Sequence, residues 1–415
     1  MKNRMKKLVS LILMLVFSCT MLFGMTACQF SNGDTAALND QIETLTKQLD
    51  DVNAKMLALE AEKALLESEL SDLETETNAQ ISNLNKEKEE LKAMADALSN
   101  CLVGKHTFSG AICTICGCDR GYTRDGDYIY LGEFPQTLKA DDVTITAETD
   151  ARGYYLGSDG NYYAAVTADP YVDGMAADPT STSTFSTGAS VVEGTVYYFK
   201  VEPIRWRIIS EENGEALLLC DSIIAGLQYQ TDYEYESSAG GYCTTSNGAP
   251  SGTYANNYMY SNVRNWLNET FYKTALNQTQ QGIVLTTEVD NSEESASFYG
   301  SSISNKCTCE NTSDKVFLLS IREVTNEANG FASYFTSDAA RKMMTSDYSR
   351  ATGAYMDTSG DHNGNGWWWT RSPYDSNDRF TTKAYMIFET GISSSYDVGS
   401  SAVGVVPALR IQLNP

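Results

Sequence analysis

The chain has 415 residues, with 54 acidic against 30 basic side chains and a formal net charge of −24. A surface this acidic repels nucleic-acid phosphates and excludes docking on anionic lipid through a basic face. All 5 Trp and all 25 Tyr follow Gly121, so an aromatic core is confined to the chain beyond that point.

Met1–Lys7 is basic and Leu8–Met25 almost wholly apolar, the pattern of a secretory signal. An uncleaved membrane helix is the alternative, since about 18 apolar residues just span a bilayer. The segment ends in Met25-Thr26-Ala27-Cys28, which resembles a bacterial lipobox with Met25 where Leu is usual. The resemblance implies cleavage after a signal peptide of residues 1–27 and acyl chains on Cys28. These would hold the protein on the extracellular face of the cell membrane. Residues 1–27 carry four cations and no acid, so their removal takes the net charge from −24 to −28. Residues 28–37, with Ser31-Asn32-Gly33-Asp34, read as a flexible linker.

Leu38–Asn100 has no aromatic, Gly or Pro. Its apolar residues step alternately by three and four. With Ile42 at position a, Leu49, Met56, Leu70, Leu84, Leu91 and Leu98 follow at a, and Leu45, Val52, Leu59, Leu66, Leu73 and Met94 fall at d. Lys63, Thr77, Gln80 and Glu87 interrupt the series. The period predicts a coiled coil over 38–100 that makes the protein a homo-oligomer, either dimer or trimer. A single, partly helical acidic linker is the other reading.

Cys101, His106, Cys113, Cys116 and Cys118 fall within eighteen residues. In Cys113-Thr114-Ile115-Cys116-Gly117, two thiolates can face one tetrahedral ion, and Cys101 and His106 complete four ligands. Disulfides and free thiols are the competing readings, disulfides being reasonable outside the membrane. The run from His106 to Gly117 resembles the small zinc-ribbon-like inserts of Gram-positive surface proteins, which implies a structural zinc in a knuckle over 101–120.

Residues 121–415 alternate aromatic or β-branched runs with Gly, Ser, Asn and Asp turns. Val196–Phe199, Trp206–Ile209, Ala216–Leu219 and Val316–Leu319 read as strands. Ser261–Leu267 reads as a capped helix, and a second helix is expected near Asp338–Thr345. The fold expected is an α+β head on a long coiled-coil stalk. Tyr130-Leu131-Gly132, Pro203-Ile204-Arg205-Trp206, Asn262–Asn268, Trp369-Thr370-Arg371-Ser372-Pro373 and Gly404–Leu409 together resemble a bacterial domain family of unknown function with a Trp-x-Arg-Ser-Pro signature. Its match is interrupted by an acidic, Tyr- and Gly-rich insertion around 150–190. The last fifty residues also resemble the end of a C-type lectin-like fold of the formylglycine-generating-enzyme type. There an Arg is usual where this chain has Val406, which places any role of that Arg in doubt.

Asp361-His362-Asn363-Gly364-Asn365-Gly366 spaces oxygen ligands at Asp361, Asn363 and Asn365 as a calcium loop does. Position twelve is Ser372 rather than Glu, and a plain Asn/Gly turn explains the run equally well. Trp367, Trp368 and Trp369 cannot all point inward on a strand. With Arg371, Tyr374, Asp375, Asn377 and Tyr396 they form the expected ligand-binding set. His106 and His362 are the only histidines and no nucleophile motif accompanies either, so no catalytic residue is expected. The function expected is non-catalytic display of a domain that binds a glycan, peptide or surface protein. A secreted glycan-acting hydrolase and a structural envelope protein are the alternatives.

Overall fold

A computed structural model describes residues 32–103, 105–172, 183–236, 240–244, 248–298, 307–333, 336–374 and 381–413. The chain divides into two units, Met1–Ala95 and Asp96–Pro415.

The long N-terminal helix, Asn32–Leu102, has 71 residues and takes in part of the expected linker. A composition of Ala, Leu, Glu and Lys without Gly or Pro over Leu38–Asn100 favours it at almost every position. Exposed i,i+4 pairs such as Lys55–Asp51 (2.6 Å) and Lys63–Glu67 (3.2 Å) add a few tenths of a kcal/mol each. The helix ends where the Lys105 N–H bonds back to the Asn100 carbonyl at 2.9 Å, a bond five residues long typical of helix C-termini. The heptad residues are exposed along the helix, Leu45 by 63% and Leu66 by 56%. No long coiled-coil stalk is evident, which corrects the expectation. The period supplies a seam, but closing it needs a second long helix, and this is the only one among the described residues.

The second unit is mostly β-sheet. Its frame is the 17-residue strand Val196–Glu212, which turns back at Asn213-Gly214 (φ 54° and 80°) into Glu215–Cys220. Both positive angles match the type I′ turn that Asn-Gly favours. The long strand also pairs with Tyr128–Leu138 and Tyr162–Thr167. Ile145–Thr149 and Tyr155–Gly157 extend the sheet beyond Tyr162–Thr167, so the expected insertion supplies strands to it. Ala408–Gln412 pairs with Glu215–Cys220 and then with Val316–Phe317, completing a nine-stranded sheet with Thr123–Asp125.

A second, seven-stranded sheet is built on Asn365–Pro373. This strand pairs with Met343–Thr345, Lys383–Ile387 and, in parallel, Val403–Val405. Val406 and Pro407 carry the chain from this sheet into the first, and Val406 is fully buried there. The position where an Arg was expected is therefore core.

The expected α+β, lectin-like head is corrected to a predominantly β unit. Among the described residues its four α-helices beyond the long helix, Asn262–Asn265, Tyr272–Ala275, Gln278–Ile283 and Asp347–Ala351, have at most six residues each. Ser261 caps the first by accepting from the Arg264 N–H, and a π-helical segment, Trp266–Phe271, continues it. The helix expected at Asp338–Thr345 is a 3-10 turn, Ala339–Arg341, followed by the strand Met343–Thr345. Pairing with Asn365 and Gly366 claims those backbone groups before a helix can.

Trp206, Trp368 and Trp369 are fully buried. Truncating Trp368 to Ala should destabilise the unit by about 3–5 kcal/mol, measured by denaturant unfolding. A second prediction concerns acid. Asn161 and the Tyr163 hydroxyl both donate to Asp159 Oδ2 at 2.7 Å, holding that carboxyl down at about 2. The unfolded value is about 3.9, so this contribution is complete above roughly pH 4 and lost as pH falls through the folded value. An acid titration of stability should therefore be flatter in Asp159→Asn than in the parent.

Candidate functional site

The run Trp367–Ser372 uses a polar side-chain atom at each residue to tie down a different segment. Trp368 Nε1 donates to the Arg341 carbonyl at 2.9 Å and Trp369 Nε1 to the Leu227 carbonyl at 3.0 Å. Thr370 Oγ1 donates to the Tyr385 carbonyl at 2.9 Å, and Ser372 Oγ accepts from the Ile321 N–H at 2.9 Å. Arg371 is 3% exposed. Its guanidinium donates to the carbonyls of Asp290 (2.9 Å) and Leu318 (2.8 Å), to Ser295 Oγ (3.1 Å) and to the Glu323 carboxylate. These three buried side chains, Trp368, Trp369 and Arg371, are spent on the interior.

Trp367 is different. It is partly exposed, and its indole is the centre of an aromatic patch. Tyr355 stacks on it at 4.1 Å and 26°, while Tyr396 lies at 5.2 Å, Phe388 at 5.5 Å and Tyr171 at 6.4 Å. All four are also partly exposed. Trp367 Nε1 donates to Glu389 Oε2 at 2.5 Å, which places a carboxylate at the edge of the rings. The arrangement offers ring faces and edges for stacking, with an acceptor beside them.

Of the expected ligand-binding set, Trp367 and Tyr396 are brought together in this patch. Tyr374, beyond the other end of the same strand, packs edge-on against Tyr385 at 5.1 Å. Asp375 and Asn377 lie outside the described residues, as does Cys28. Sequence reasoning missed Tyr171, Tyr355, Phe388 and Glu389. With 25 Tyr in the chain, composition alone cannot single out two of them.

The calcium reading gathers no donor cage. Asp361 and Asn363 are exposed, around the 3-10 turn Gly360–His362, whereas Asn365 is buried and donates its amide to the Glu389 carbonyl at 3.3 Å. Among the described residues, one group of three or more Cys, His, Asp or Glu side chains is placed to share an ion. It is Cys101, His106, Cys113 and Cys116, whose ligand atoms all lie within 4.8 Å of one another. Among the other described cysteines, Cys220, Cys243 and Cys309 are free thiols.

A groove of about 770 Å³ runs beside the helical segment, lined in part by Tyr260, Arg264, Asn268 and Lys315. Its charges are engaged within the fold: Arg264 pairs with Asp314 at 2.6 Å, and Lys315 Nζ donates to the Val284 carbonyl at 2.6 Å.

A DUF6273 domain, a domain of unknown function, covers residues 213–413. The aromatic patch, apart from Tyr171, lies inside it. The DUF6273 boundary falls in the turn between Val196–Glu212 and Glu215–Cys220, so the nine-stranded sheet runs across it. No curated protein and no solved structure matches the chain.

Arg371→Lys should cost about 2 kcal/mol or more of DUF6273 stability, because an ammonium cannot reproduce a planar fork serving several acceptors. Thermal unfolding of the two proteins side by side measures it.

Proposed function

We propose that this is an exported lipoprotein, anchored through acyl chains on Cys28, whose DUF6273-containing unit binds an extracellular glycan or peptide without catalysis. The aromatic patch around Trp367 carries the binding reading. A buried core accounts for Trp368 and Trp369, but Trp367, Tyr171, Tyr355, Phe388 and Tyr396 keep partly exposed rings in one place. Apolar C–H faces of a sugar, or an aliphatic or aromatic side chain, gain contact area on such rings at little cost in side-chain entropy. Glu389 supplies an acceptor for a hydroxyl or amide that docks there, and the patch suits neutral or cationic ligands better than anionic ones. The lipobox-like Met25-Thr26-Ala27-Cys28 supports the anchor and the extracellular location.

The mature protein, probed against glycan and peptide arrays, should give a hit that Trp367→Ala weakens about tenfold, or about 1.4 kcal/mol. Tyr374→Ala should leave it unchanged. A hit indifferent to Trp367→Ala would remove the patch from consideration, and polymer turnover abolished by a single carboxylate substitution would point to a hydrolase instead. For the anchor, metabolic labelling with a fatty acid should mark the parent protein and miss Cys28→Ala.

A further inference from the structure

Residues 101–120 have little with which to fold. Beyond the helix end at Leu102, their described regular structure is two strands of two residues, Phe108–Ser109 and Ile112–Cys113, and a segment this short cannot bury a core of its own. Cys101 and Cys113 are nonetheless only 6% and 1% exposed. Their sulfurs are 3.7 Å apart, and Cys116 Sγ is 3.5 Å from His106 Nδ1. Ligands held at about 2.3 Å (sulfur) and 2.0–2.1 Å (nitrogen) from one tetrahedral ion sit roughly 3.8 Å apart for two sulfurs and 3.6 Å for a sulfur and a nitrogen. Both observed spacings match the edges of that tetrahedron.

The ligand atoms of Cys101, His106, Cys113 and Cys116 all lie within 4.8 Å of one another, so they converge on one point. A cation at the centre would satisfy all of these sulfurs together.

We propose that Cys101, His106, Cys113 and Cys116 bind one structural zinc ion that clasps the last turn of the helix ending at Leu102 to the hairpin after it. Three soft thiolates and an imidazole select zinc over hard cations, and four protein ligands close the shell. On binding, each thiol still protonated releases its proton to solvent, with no redox change. Cys118, exposed and 3.5 Å from His106 Nδ1, is the rival of Cys116 for the third sulfur position. It stands outside the mutually close set and remains a free thiol. This inference is independent of the ligand-binding reading.

The test uses the mature protein purified under reducing conditions. Elemental analysis should find one equivalent of zinc, and replacement by cobalt should give the intense visible bands of a tetrahedral thiolate site. Cys118→Ser should retain the metal and Cys113→Ser should lose it, with circular dichroism showing that the β-sheet unit remains folded. The cobalt spectrum of the parent protein decides the matter even if Cys113→Ser fails to fold. Absence of both zinc and a cobalt spectrum would overturn the site, as would a mass deficit showing disulfides among these cysteines. Loss of metal in Cys118→Ser with retention in Cys116→Ser would overturn the ligand assignment.

Discussion

A buried polar group without a partner costs about 1–3 kcal/mol, and the run Trp367–Ser372 is organised around that constraint. Each indole, hydroxyl and guanidinium in it answers a carbonyl, N–H or carboxylate from a segment distant in sequence: Leu227, Asp290, Leu318, Ile321, Arg341, Tyr385 and Glu389. Loops that would otherwise leave backbone groups dry are fastened to one strand. Arg341 does the same on a smaller scale. Fully buried, it serves the carbonyls of Gly391, Val324, Ala332, Ser333 and Thr336, and its own carbonyl receives Trp368. The unit has few and short helices, so much of its loop backbone is satisfied by these side chains rather than by helical ladders.

The same strand explains which indole reaches the surface. Alternation sends Trp368 to one face and Trp367 and Trp369 to the other, but the latter two reach different depths. Trp369 packs on Tyr229 at 5.5 Å and is sealed, while Trp367 lies nearer the start of the strand and meets rings that remain partly open. Packing uses one indole and leaves the other at the surface. Tyr171 reaches the patch from a segment before the DUF6273 match. The chain before the match thus contributes a ring to the patch as well as strands to the frame.

Much of the local structure was legible in the chain. The strands around Val196–Phe199, Trp206–Ile209 and Ala216–Leu219 follow from β-branched and aromatic runs, and the cap at Ser261 from its residue type. The Cys/His spacing pointed to the four atoms that converge, because a knuckle is built from neighbours and needs no distant partner. The expected calcium loop illustrates the opposite limit. Asp361, Asn363 and Asn365 have the right intervals, yet Asn365 is drawn into the sheet by pairing with Met344, which removes it from a surface loop. Met343–Thr345 likewise left the expected helix for a strand because a ladder partner was waiting.

From its residues alone, the chain declared an apolar stretch before a lipobox-like Cys28, a long helix free of breakers, a cluster of soft ligands and an aromatic-rich remainder. Each is a property of neighbours within a few turns or strands, where local spacing carries the physics. Only the tertiary structure decided that the remainder is mostly β, that the heptad seam of the helix lies exposed in this chain, and that Trp367 rather than Trp368 or Trp369 reaches the surface. Those outcomes depend on which segments meet across hundreds of residues, and hydrogen-bond satisfaction among buried groups sets that choice, which no local pattern records.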